Sequence, residues 1–143
     1  MARGRWIIVG TDFSPAADCA VDRAAELASE LGASLAVVHA FEDRPDAQPE
    51  DDLTAVVQAR LEESASLLRA RHPSIHIDCV VRRGTPWDKL ANVACDFGAE
   101  MIVVGAGGEH SADAPRFLGR VVTRVATTSD CAVLVIPARA TSP

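Results

Sequence analysis

Short apolar runs and stretches of helical period alternate strictly along this chain of 143 residues, and that alternation restricts the available folds more than any single motif. Trp6-Ile7-Ile8-Val9, ended by Gly10, has the pattern of a strand buried on both faces. Ser14 and Pro15 read as an N-cap and a first-turn proline. Ala20, Val21, Ala24, Leu27, Ala28 and Leu31 then recur at helical spacing, and Gly32 closes the helix. Ser34 to Ala40 is a second apolar strand. Glu42 to Asp52 holds two prolines and six acids and is expected to be a flexible, exposed connection. A helix is expected from Leu53 to Arg71, before Pro73, and an edge or half-covered strand from His76 to Arg82. Gly84-Thr85-Pro86 opens a third helix, with Trp87, Leu90, Ala91, Ala94 and Phe97 inward and Gly98 at its end. Met101 to Val104 is a fourth strand, Gly105 to Pro115 a glycine-rich loop, and Leu118 to Thr127 a last helix. Ala132 to Ile136 is a fifth strand, and 138–143 is expected to be a frayed tail.

Five strands separated by four helices predict an α/β fold: one domain over 1–143, with a parallel sheet, right-handed crossovers and helices on both faces. The first and fourth strands are the most apolar and belong in the centre, which gives the order 3-2-1-4-5. Ligands of such sheets bind beyond the carboxyl ends of the strands, where the order reverses. Here that places the loops after the first and fourth strands across one crevice. Asp12 in the first loop can accept hydrogen bonds from a ribose or an adenine edge, or can cap the first helix. Glycines at 105, 107 and 108 let phosphates approach backbone N–H groups, although glycine-rich turns follow many strands. The last strand is apolar throughout yet falls at an edge, a hazard unless a second chain covers it.

Charge removes several classes. The formal net charge is −6 with no basic run, so a phosphate backbone is repelled and nucleic acid is not an expected partner. No window approaches the ~18 apolar residues of a membrane span. The apolar stretch after Met1–Arg5 is too short for a signal segment, so the expected location is cytoplasmic. The four cysteines show no C-x-x-C spacing and read as small buried hydrophobes, and no metal site is expected. His39 ends a strand and is expected to be partly buried and bonded to nearby backbone. His110 shares a single loop with Glu109, Ser111 and Asp113, which does not provide the converging supports of a catalytic triad. Neither G-x-G-x-x-G after the first strand nor G-x-x-x-x-G-K-[ST] occurs, which removes dinucleotide-dependent dehydrogenases and P-loop phosphotransferases.

Thr11-Asp12-Phe13-Ser14, Val37-Val38-His39-Ala40, Gly84-Thr85-Pro86, Met101-Ile102-Val103-Val104-Gly105 and Cys131-Ala132-Val133-Leu134-Val135-Ile136 occur in that order. Together they resemble the universal stress protein family over nearly the whole chain. The resemblance implies an adenine nucleotide alpha-hydrolase-like fold and a stress-response binding module rather than an enzyme, with slow ATP hydrolysis the least favoured reading. It implies a homodimer paired through the last strand (Ala132, Val133, Leu134, Val135, Ile136) and protein partners of unknown identity. It also implies a site for ATP or AMP, with Mg if ATP. Its residues here would be Thr11, Asp12, Ala40, Val104, Gly105, Gly108, Gly119, Arg120 and Val121.

The family's G-x2-G-x9-G-[ST] motif is altered. Gly105 and Gly108 match its first two glycines, but the third falls at Leu118, one residue before Gly119. Arg120 stands where a Ser or Thr hydroxyl meets the phosphates, and Val122 where a second small hydroxyl is common. Arg120 can pair with a phosphate through its guanidinium fork, or fold across the pocket against Asp12, Glu109 or Asp113. A nucleotide-free dimer of the same family acting through partner contacts is the alternative reading.

Overall fold

The structure is a computed structural model and describes residues 4–42, 53–106 and 119–137. Most of the connection at 42–52, the tail from 138, Gly108 and His110 therefore lie outside the described residues. Nine elements follow in order: β1 (Trp6–Gly10), α1 (Pro15–Leu31), β2 (Ser34–Phe41), α2 (Thr54–Arg71), β3 (Ile77–Arg83), α3 (Pro86–Phe97), β4 (Met101–Gly105), α4 (Arg120–Thr128) and β5 (Ala132–Ile136). All neighbouring strands are parallel and the order is β3-β2-β1-β4-β5, as the apolar pattern predicts. The fourth helix starts two residues later than its pattern suggested: Gly119 is the N-cap and Arg120 the first helical residue.

Alternation along each strand divides the core between the two faces of the sheet. Ile7, Val9, Leu35, Val37, Ile77 and Val103 meet α1 and α2, where Ala20, Ala24, Ala28, Leu61, Ala65 and Leu68 are buried. Ile8, Ala36, Val38, Val80, Ile102 and Val104 meet α3 and α4 through Leu90, Val93, Ala94, Val122 and Val125. The alanine stripe lets α1 lie close on the sheet. Ser14 caps it, accepting a hydrogen bond at Oγ from the Ala17 N–H (3.2 Å), with Pro15 in the first turn. Gly32 ends it in the left-handed conformation (φ 67°) that glycine adopts without strain.

Candidate functional site

Connections from β1 lead one way across the sheet and those from β4 the other, so the order reverses between these two strands. Above their carboxyl ends lies a crevice of about 120 Å³. Val38, Ala40 and Val104 reach it from the strands, Pro86 and Leu90 from α3, and Val121 and Val122 from α4. Gly10, Thr11 and Asp12 form one rim, and Gly105 and Ala17 add to the lining. Among the described residues the crevice is thus an apolar slot with one carboxylate at its mouth, the usual make-up of a small-molecule site.

The turn after β1 is held by a dense set of bonds. The Thr11 N–H donates to the Val38 carbonyl (2.9 Å). Thr11 Oγ1 accepts from the Phe13 N–H (3.0 Å) and Asp12 Oδ1 from the Ser14 N–H (2.9 Å). Asp12 therefore shapes the turn, while capping of α1 belongs to Ser14. With Oδ1 occupied and the side chain exposed, Oδ2 is the oxygen best placed to meet a ligand. Phe13 has φ 65°, a left-handed conformation that costs a non-glycine residue ~1–3 kcal/mol. Its ring offsets that cost by packing 4.7 Å from the His39 ring, with the Arg60 guanidinium 4.1 Å above it.

His39 matches its expectation: half-buried, with Nδ1 2.7 Å from the Thr11 carbonyl. A carbonyl only accepts, so Nδ1 carries the proton in this contact. His39 faces α1 and α2, whereas its neighbours Val38 and Ala40 face the crevice. Asp18, one turn into α1, has its carboxyl pushed up from the ordinary carboxylate range, first by burial and then by Asp22, with Arg60 opposing and Asp12 adding to the rise.

Gly105 has a packing reason of its own. A Cβ there would lie 2.8 Å from the Ala16 carbonyl oxygen, so α1 reaches its place only over a bare backbone. Gly119 leaves α4 without a side-chain cap, and Thr85 makes no capping bond to α3. The first turns of both helices line the slot through Val121, Val122 and Pro86, and neither N-cap side chain takes up a first-turn N–H. Arg120 is exposed and is not among the lining residues, while Gly108 lies outside the described residues.

The slot therefore draws together Thr11, Asp12, Ala40, Val104, Gly105 and Val121 from the residues singled out in the sequence. Sequence reasoning missed Ala17, Val38 and Leu90 as lining residues, whereas Val122 was singled out through the motif. All three missed residues are ordinary core residues in the pattern, and only the topology shows that their outer ends reach the slot. The cysteines depart from their expectation: Cys95 is exposed, and Cys19, Cys79 and Cys131 are only partly buried. Among the described residues no three His, Cys, Asp or Glu side chains gather as a metal site, and no helix is long and apolar enough to cross a membrane.

The model of the universal stress protein family matches residues 5–137. The chain belongs to the universal stress protein family. It is 31% identical over 136 residues to a universal stress protein of Thermus aquaticus, covering 92% of this chain and 98% of that one. It is 30% identical over 139 residues to a universal stress protein of Mycolicibacterium smegmatis, but spans only 46% of that relative's length. A universal stress protein crystallised in complex with cAMP superimposes with a TM-score of 0.75 at 26% identity, covering 96% of this chain and 100% of that one. The universal stress protein fold accounts for the sheet order and for the position of the slot between β1 and β4.

Proposed function

We propose that this universal stress protein is a cytoplasmic, non-enzymatic binding module that takes an adenine nucleotide in the slot above β1 and β4. The observation that carries the reading is the composition of the slot: apolar walls, one exposed carboxylate and two helix N-termini without side-chain caps. The base would lie against Val38, Ala40 and Val104, with a ribose hydroxyl on Asp12. Phosphate would sit at the start of α4, where N–H groups and the helix dipole favour an anion. Arg120, at the first position of α4, would neutralise it. The related protein's complex with cAMP supports a monophosphate as a ligand of this architecture. Arg120 in place of a small hydroxyl would add one positive charge at the phosphate position, and ATP, if it is the ligand, would bring Mg²⁺ with it.

Calorimetric titration with AMP, cAMP and MgATP tests this directly. Heat of binding is expected for at least one monophosphate, and no heat up to millimolar nucleotide would remove the reading. Arg120→Glu is expected to abolish binding, and unchanged affinity in that variant would remove the role given to Arg120. Absence of phosphate release in a turnover assay is expected for a binder.

A second reading, a nucleotide-free dimer joined through β5, is favoured by the apolar edge of that strand, whose outward backbone groups meet no described residue, and by Arg120 at the motif position. Mass spectrometry of the purified protein separates the two, since a co-purifying nucleotide would speak against the second.

A further inference from the structure

The turn that carries Asp12 straddles the sheet. Thr11 and Asp12 line the slot on the α3/α4 side, whereas Phe13 packs on the α1/α2 side against His39. Both backbone groups of Thr11 are tied to β2: its N–H to the Val38 carbonyl and its carbonyl to His39 Nδ1. The peptide unit between residues 11 and 12 is planar, so a partner that fixes its carbonyl also fixes where Asp12 leaves the backbone. No other described group is bonded to that carbonyl. Phe13 in its left-handed conformation then folds over the imidazole, and Arg60 closes the stack from α2.

We infer that His39 is a positioning residue for the slot: its Nδ1–H holds the Thr11 carbonyl from the far face of the sheet and so aims the Asp12 carboxylate at the ligand. His39 does not touch the slot itself. Its effect passes through one peptide plane, and the bond rather than the ring carries it. The link to ligand affinity rests on the nucleotide reading above, whereas the link to the turn does not.

Three variants separate bond from ring. His39→Phe keeps an aromatic ring in the stack and removes the donor. His39→Asn places an amide N–H at the reach of Nδ1, and His39→Gln places it one methylene too far. Amide exchange at Ser14, whose N–H is bonded to Asp12 Oδ1, reports on the turn without any ligand. We expect His39→Phe and His39→Gln to speed that exchange about tenfold, the loss expected for one net hydrogen bond, with His39→Asn close to the parent. AMP affinity is expected to fall by about the same factor in the first two variants and to hold in the third.

Ser14 exchange unchanged in His39→Phe, or Asn and Gln behaving alike, would overturn the inference. If His39→Phe does not fold, the Asn and Gln pair decides alone. If the parent binds no nucleotide, the functional reading fails and the exchange pattern still decides this one.

Discussion

At one edge of the sheet, β3 carries Asp78, Arg82 and Arg83, and α2 lends it a cap: the Arg69 guanidinium donates to the Ile77 carbonyl at 2.6 Å. The His76 carbonyl bonds towards β2, so the next residue's carbonyl faces outward, and that is the one Arg69 takes. At the other edge, β5 has no charged side chain. Its Ile136 carbonyl accepts from the Ala106 N–H on the β4 side, which turns the backbone groups of Val133 and Val135 outward. No described residue covers them. One edge is closed by charge and by a borrowed guanidinium, and the other is left able to accept a strand. The two edges differ less in apolar composition than in their backbones: on the β5 side the outward N–H and C=O groups have no partner among the described residues.

If the open edge serves to pair two copies, removing one outward donor there has the largest effect. Val133→Pro deletes an N–H that β4 does not use, and proline is tolerated on edge strands. The parent is expected to run as a dimer in light scattering and the variant as a monomer. A dimer that survives the substitution would place the interface elsewhere.

The closed edge gives a smaller effect. Arg69→Ala frees the Ile77 carbonyl and is expected to cost ~1.5–3 kcal/mol, several degrees in Tm, as for a hydrogen bond to a charged donor. Weak association through β3 is expected to appear at high protein concentration. If stability and mass both stay at the parent values, Arg69 is not what closes that edge.

The smallest effect is chemical. Burial and then the neighbouring Glu62 push the Cys79 thiol on β3 up to about 12. The thiolate is the reactive form, so at pH 8 Cys79 stays protonated and is expected to alkylate far more slowly than exposed Cys95. Its rate is expected to climb only as the pH approaches 12. Mass-resolved labelling that finds the two cysteines equally fast would show that the β3 edge opens readily.

The alternation of textures made the sheet legible, because a parallel strand buried on both faces must be apolar throughout, as Ile7, Ile8 and Val9 are. The slot was legible through the Thr11–Asp12 turn and Gly105, since chain order fixes which loops follow the central strands. Val38 and Leu90 could not be read as part of it. A valine in a core strand looks the same whether its outer end meets a helix or a ligand. The start of α4 was misplaced because Leu118 continues the helical apolar period, and nothing in that period signals that Gly119 takes the N-cap. The positive φ of Phe13 was hidden for a similar reason: a large aromatic is an unusual choice there, and only its stacking partners explain it.

The close approach of Gly105 to the Ala16 carbonyl bears on how the proposed nucleotide reading can be tested by substitution. Any side chain at 105 would lever α1 away from the sheet, so loss of binding after such a change would say nothing about phosphate contacts. The informative levers are Arg120 and, as Asp12→Asn, Asp12, because the amide keeps an Oδ1 acceptor for the Ser14 N–H while the charge is lost.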